Sequence, residues 1–413
     1  MNRGGADRSS EELEKRIAEV ARLAGAGKLG DAASRAGRLM KEGVRDTRVF
    51  AAAAEGALER RRWAEAEPVL RAWVELAPND PGGLINLAWC LNELGREVEA
   101  EPFARRAVEI APEHESSWSN LLLSLRRQQR WKSGLEAFAS APEGVKGRQN
   151  ILLLAGELHL GAGDAEGALA CAVSAQRTDL NLYWPSEAAA FASNYVEMEP
   201  ARRAALHRNF GRLLEESVQG KHLPPVVRGA GGRVDRPLRV GFISHDLRAH
   251  PVGTFCRPLF EAWDHGAMEL LAYSTHRGDE VSAHLRSLCD RWTVIAGESA
   301  QGAANIIRRH GVDVLVDLHG LTEGHRLATL ALKPAPVQVT WCGYPNTTGM
   351  GSVDCRFVDG VTDPPGAESL SAERLVRLGG CFLCYAPPWG MALPAVRAAR
   401  RATAVRSRSV RST

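Results

Sequence analysis

Three short stretches gather the side chains of this sequence best suited to chemistry. They are residues 244–253 (SHDLRAHPVG), 319–326 (HGLTEGHR) and 341–349 (WCGYPNTTG). In the first, Asp246 and His250 stand four residues apart, a carboxylate and an imidazole that can each take a proton. Across a loop, that spacing can set both at one cleft edge. Asp246 equally reads as a helix N-cap or a loop hydrogen bond, and His250 as a satisfied structural histidine ahead of Pro251. In the third stretch Gly343 lets backbone approach a ligand or closes a tight turn after a strand, and both readings hold together. Thr347 and Thr348 add hydroxyls to it. None of the three stretches is a GxGxxG loop or a Walker motif, so a nicotinamide or ATP site is not supported. Cys381 and Cys384 form a CxxC pair with no second pair and no histidines at ligand spacing, which reads as free thiols in a reducing compartment, not as a metal site.

Such stretches need elements to hold them. Residues 238–244 (LRVGFIS) form a short apolar run of the kind a buried parallel strand has. Strand-like runs recur at 270–274, 292–296, 312–318, 337–341 and 356–359. Helical patterns lie between them, from about 254 and over 281–290, 300–310 and 325–332. This alternation predicts a doubly wound, Rossmann-like sheet over 238–388, in which ligands bind at the carboxyl ends of the strands. The three polar stretches fall at those ends.

The amino-terminal half repeats every 34 residues. The tripeptides 76–78 (LAP) and 110–112 (IAP) carry the same phase as Ala32, Ala66, Ala100, Gly134 and Ala168. Phe50, Leu84, Trp118 and Leu152 keep it too. Small residues where two helices cross, flanked by large apolar ones, are the tetratricopeptide pattern, and five units are expected over 13–180. Units of this kind bury their apolar faces only by stacking, and the concave face of the stack binds extended peptides or proteins. Residues 1–12 are expected to be a disordered N-terminus and 181–222 connecting helices. Within 201–216 an amphipathic helix puts Ala205, Phe210 and Leu214 on its apolar face. Pro and Gly density marks 223–237 as a linker.

The 413 residues carry a net charge of +3, but the last 25 hold six arginines and no acid. The remainder has 46 basic and 49 acidic residues, a net of −3, so nothing in it asks for a nucleic-acid partner. No stretch approaches the roughly 20 apolar residues of a membrane span, and 1–16 has no apolar core to act as a secretory signal. A cytoplasmic protein with no membrane partner is expected.

Taken in order, RPLRVGFISHD, then HP, then DVLVDLHGLTEGHR, then PAPVQVTWCGYPNTTG, DPPG and ERLVRLGGCFLCYAPP closely resemble the amino-terminal catalytic half of the protein O-linked N-acetylglucosamine transferase and SPINDLY family, from 236 to about 388. The resemblance implies an α + α/β protein, with a tetratricopeptide α-solenoid followed by one Rossmann-like lobe of a two-lobed (GT-B type) glycosyltransferase. It implies transfer of N-acetylglucosamine or a related sugar from a nucleotide-sugar donor such as UDP-GlcNAc to Ser or Thr of proteins held by the repeats. No metal or cofactor is implied. By the same resemblance Asp246 and His250 lie near the acceptor and the sugar and are the catalytic candidates. Gly343, Tyr344 and Pro345 lie on a loop that touches the donor sugar, which Thr347 and Thr348 extend. His207, in the run HRNF, falls where the family has a histidine facing the site, although a histidine on such a helix reads first as a surface residue. Asn346 departs from the family's usual glycine, Leu321 from its aromatic or histidine, and Val252 lacks a hydroxyl found in some members.

The resemblance stops at about Pro388, where the family continues into a second lobe carrying most nucleotide-sugar contacts. Residues 389–413 have neither acids nor a strand pattern, and the expectation is an aberrant, out-of-frame or disordered basic tail on a truncated chain that is weak or inactive alone. Two functional readings follow: a protein O-glycosyltransferase, and a non-catalytic tetratricopeptide scaffold that binds protein partners.

Overall fold

The computed structural model describes residues 4–44, 46–221, 223 and 236–387. Five helix pairs come first: Gly4–Gly25 with Leu29–Lys41, Arg48–Glu59 with Trp63–Leu76, Pro81–Glu93 with Glu97–Ile110, Glu115–Arg127 with Trp131–Ser140, and Gln149–Gly161 with Ala165–Gln176. The first helix starts at Gly4, so residues 4–12 are helical where the sequence reading expects disorder. The 34-residue phase marks the crossings. Ala32, Ala66 and Ala100 are fully buried, and a Cβ on Gly134 would stand 2.5 Å from a methyl of Leu158. Local chemistry sets the starts of some helices. Asp80 accepts from the Gly82 and Gly83 N–H groups at 2.8 and 3.2 Å, and Pro81 takes the first helical position. In the fifth pair, which follows a short extra helix Glu143–Lys146, Ile151 enters the core and Leu152 stays half-buried.

Seven parallel strands follow: β1 (Leu238–Ser244), β2 (Met268–Ser274), β3 (Arg291–Val294), β4 (Val314–Asp317), β5 (Val337–Thr340), β6 (Cys355–Val358) and β7 (Arg374–Arg377). Their order is β3-β2-β1-β4-β5-β6-β7, so the chain reverses direction of travel between β1 and β4. At that switch point the loops after β1 and β4 part, and the adjoining loop after β5 lies beside them. Alternate residues of the strands serve two cores. Val240, Phe242, Leu270 and Val316 pack on the helix Pro251–Glu261 through Cys256 and Phe260. Ile243, Leu271, Tyr273 and Leu315 pack on the other face with Ala303, Ile307, Leu327 and Leu330.

That second core also contains Ala190, Phe210, Leu214 and Val218. The helices Tyr183–Ser193 and Pro200–Ser217, read from sequence as connectors, are thus part of the α/β unit. On the latter helix the inner face is Ala204, His207, Phe210 and Leu214, and Ala205 is exposed. Leu223 donates its N–H to Leu332 O at 3.2 Å, fastening the end of this segment to the lobe. Of the expected linker, 224–235 lie outside the described residues, as does the expected tail 389–413. No helix among the described residues is long and apolar enough to cross a membrane.

Candidate functional site

The turn after β1 is built by its own hydroxyl: Ser244 Oγ accepts the Asp246 N–H at 2.9 Å. Four residues on, His250 adopts an extended conformation ahead of Pro251 and caps the next helix, its Nδ1 accepting the Val252 N–H at 3.3 Å. The cap is therefore His250, not Asp246. The Asp246 carboxylate, 8% exposed, accepts from Arg248 at 3.2 Å through Oδ1. Its Oδ2 stands 3.6 Å from His250 Nδ1 and 3.6 Å from His319 Nε2. The His250 side chain is one-third exposed.

His319, on the loop after β4, completes this group. Its Nε2 accepts the His245 N–H at 2.7 Å, and its Nδ1 lies 2.9 Å from Thr322 Oγ1. Because the Thr322 hydroxyl donates to the His319 carbonyl at 3.0 Å, Nδ1 carries the proton and the ring is neutral. Burial holds its pKa down to about 4, against the opposing pull of Asp246. The loop is tied to the sheet by Asp317 at the end of β4, which accepts from the Gly320 N–H at 2.8 Å, the Thr340 hydroxyl at 3.0 Å and the His319 N–H at 3.2 Å. Burial pushes the Asp317 carboxyl up to about 6 even so. Sequence reasoning singled out neither Asp317 nor His319. An acid closing an otherwise apolar strand, followed two residues later by a histidine, was the available signal.

The loop after β5 behaves differently from its sequence reading. Gly343 is there because backbones cross: a Cβ would stand 1.7 Å from Leu318 O. The Tyr344 hydroxyl lies 2.8 Å from His207 Nε2 and accepts from Asn194 Nδ2 at 2.6 Å. His207 Nδ1 in turn donates to Arg203 O at 2.9 Å, so both ring nitrogens are occupied. His207 is completely buried, not a surface residue, and burial lowers its pKa. Thr347 and Thr348 are also completely buried. Both hydroxyls donate to Glu373, Thr347 at 2.6 Å, and the Thr348 N–H adds a bond of 2.7 Å. These threonines hold the loop to the start of β7. Pro345 is exposed, and Cys342, Gly343, Tyr344 and Asn346 are partly so. Asn346 Nδ2 donates to Asn194 Oδ1 at 3.1 Å, so the departure from glycine is accommodated by a side-chain bond.

The structure thus brings Asp246, His250 and His319 together at the carboxyl ends of β1 and β4, and sets His207, Tyr344, Thr347 and Thr348 behind them as scaffold. An acid facing two imidazoles, one of them accessible, can accept or relay a proton. Among the described residues no group of three or more His, Cys, Asp or Glu has the geometry to hold a metal ion. Beside the loop after β4 lies a cavity of about 590 Å³, bounded by the last helix pairs and the helix Tyr183–Ser193.

Comparison with known proteins places the two halves. A family model described as Glycosyl transferase family 41 matches residues 190–385, and a Tetratricopeptide repeat model matches 57–125. The Probable UDP-N-acetylglucosamine-peptide N-acetylglucosaminyltransferase SPINDLY of Arabidopsis thaliana is 39% identical over 158 residues, which are 37% of this chain and 17% of that protein. Its counterpart in Solanum lycopersicum is 35% identical over 203 residues, 48% of this chain and 21% of that protein. The chain therefore spans about a fifth of the length of these curated relatives. A mutant O-GlcNAc transferase of Thermobaculum terrenum superposes with a TM-score of 0.64 at 29% identity, covering 75% of this chain and 59% of that one. The match begins at residue 190, inside the helix Tyr183–Ser193, in agreement with the packing of that helix into the lobe.

Proposed function

We propose, for a chain whose residues 190–385 belong to glycosyl transferase family 41, that it takes part in protein O-glycosylation, moving N-acetylglucosamine or a related sugar from a nucleotide-sugar donor to Ser or Thr of a polypeptide held by its repeats. The observation that carries this reading is the Asp246 carboxylate set 3.6 Å from both His250 and His319 at the switch point of the sheet. Attack of the hydroxyl on the anomeric carbon forms the new glycosidic bond as the bond to the donor's diphosphate breaks and the nucleoside diphosphate leaves, and it needs a destination for the hydroxyl proton. His250 supplies one. When its Nδ1 accepts from Val252, the neutral ring presents Nε2–H as a donor to a ligand oxygen. When Nδ1 carries the proton and turns it toward Asp246, Nε2 is freed to accept. Asp246 is then the positioning residue that stabilises the protonated imidazole; Arg248 holds that carboxylate through Oδ1 at 3.2 Å, and buried His319, held neutral, adds no competing positive charge. Pro345 and Asn346 form the rim on the sugar side. Transfer is proposed to need no metal or cofactor. Eight free cysteines suit a reducing compartment, and the cytoplasm is the proposed location.

The test is calorimetric titration with UDP-N-acetylglucosamine and with GDP-fucose, followed by mass spectrometry of Ser- and Thr-containing peptides incubated with each donor. Weak donor binding and a slow hexosamine or deoxyhexose mass shift are expected, unchanged by EDTA. His250→Ala is expected to lower turnover by about 10²–10⁴-fold, and Asp246→Asn to shift the pH profile as well. Absence of both donor heat and mass shift refutes the transferase reading and leaves the array as a scaffold.

A further inference from the structure

We propose that the cavity beside the loop after β4 is a specificity pocket for a lysine or arginine side chain of an extended polypeptide, an inference that rests on the reading of the repeats as the holder of a polypeptide acceptor. At about 590 Å³ its volume is that of a ligand cleft, commonly about 300–1,000 Å³. Its walls include Trp131, Trp184 and Phe191, and Trp184 is 42% exposed, a large aromatic face open to solvent. The charges in it do not balance. Glu157, Glu187 and Glu323 face one guanidinium, that of Arg126, a formal net of −2 when His325 is neutral. Glu157 forms an ion pair with Arg126 at 3.0 Å, and Glu187 is hydrogen-bonded to His325 at 2.9 Å. Glu323 is exposed and has no hydrogen-bonding or ion-pair partner among the described residues. The protein around Glu157, whose side chain is still about half exposed, pushes its carboxyl up; Arg126 opposes this and the Glu323 charge adds to it. A cation seated between the two glutamates relieves that repulsion, while its alkyl stem lies on tryptophan and its head gains from the ring face.

Position gives the pocket a function in addition to affinity. Leu321 and Glu323 line it, and Thr322 between them belongs to the hydrogen-bonded turn of His319, which faces Asp246. A polypeptide anchored by a cationic side chain here continues toward the acid–imidazole group with its register fixed. The pocket therefore selects hydroxyl residues that lie at a set distance along the chain from a lysine or arginine.

The test uses the full chain without sugar donor and a set of fluorescein-labelled Gly/Ser/Thr peptides, identical except that one position, scanned along the peptide, is lysine, arginine, norleucine or glutamate. Fluorescence anisotropy is expected to show lysine and arginine peptides binding about tenfold more tightly than norleucine at a favoured position, with glutamate weakest. Glu323→Gln, which breaks no intramolecular bond, is expected to remove part of the difference. Glu157→Gln with Glu323→Gln is expected to abolish it, with norleucine binding unchanged and the thermal melt lowered only slightly by loss of the Glu157–Arg126 pair. Equal affinity of lysine and norleucine peptides for the unaltered chain overturns the proposal. So does discrimination that survives in the double variant, and so does failure of every lysine peptide to bind. Since no sugar is transferred in this measurement, a failed transfer assay leaves a positive result standing, and a negative result here leaves transfer untouched.

Discussion

His319 is the residue in which the local electrostatics of the site can be read most directly. Its folded pKa of about 4 lies below the ordinary 6.5, so between those values the unfolded chain binds the proton more readily. Stability therefore falls as pH is lowered through that window. Asp317 works in the opposite sense: raised to about 6 from 3.8, it makes the folded chain the better proton binder, and its contribution is lost as pH rises. The two slopes oppose one another between pH 4 and 6, which hides each of them in the unaltered protein. His319→Gln separates them, because glutamine keeps an acceptor for the His245 N–H but does not titrate. On going from pH 7 to pH 4 the unaltered chain is expected to lose about 3 kcal/mol relative to the variant, measured by urea unfolding at both pH values. Parallel profiles would show that His319 is protonated in the fold, with Asp246 Oδ2 as its counter-charge.

At the scale of elements, the helix Pro200–Ser217 and the loop after β5 are pressed together without side chains between them. A Cβ on Gly349, which has a φ of +75°, would stand 1.9 Å from His207 O, and one on Gly211 would stand 2.1 Å from Gly349 O. Gly349→Ala is accordingly expected to cost more than about 2 kcal/mol, from overpacking and from the left-handed backbone together, and to release the Tyr344–His207 bond. Chemical denaturation and the near-ultraviolet tyrosine signal would measure it; an unchanged midpoint would mean that the helix can withdraw freely. This contact also explains what the sequence could and could not disclose. The 34-residue phase and the apolar strands were legible because burial on one face imposes a period on residue type. β7 was not, because Arg374-Leu375-Val376-Arg377 is an edge strand whose outer positions remain in water and carry charge. His207 was misread because polar type outweighed position, although it shares a helical face with Phe210 and Leu214 at three and seven residues. The roles of Thr347 and Thr348 were out of reach, since Glu373, which takes both hydroxyls, lies 26 and 25 residues on, beyond β6.

At the scale of the whole molecule, the boundary between the repeats and the lobe is not where composition changes. The Pro/Gly-rich run begins near 223, yet the apolar core of the lobe already includes Ala190, Phe210 and Leu214. Glu215 reaches the backbone of the same lobe, accepting from the Ser352 N–H at 2.7 Å. Removing the two helices would uncover one face of the sheet at about 1.5–3 kcal/mol for each large apolar side chain lost. It would also leave the Tyr344 hydroxyl, held by Asn194 and His207, without partners. Against a net stability of about 5–15 kcal/mol for a typical domain, that loss is decisive. The repeats, in contrast, are stabilised by neighbours: Arg96 reaches back to Glu67 at 2.8 Å and Arg130 to Glu101 at 2.5 Å, the same contact one unit apart. Shortening such an array from its free end removes one interface at a time. A fragment of residues 181–387 is therefore expected to unfold cooperatively and resist limited proteolysis, and one of residues 236–387 to be proteolysed rapidly and to lack a cooperative transition. A cooperative 236–387 fragment would mean that the sheet closes its own core and that the two helices belong to the repeats.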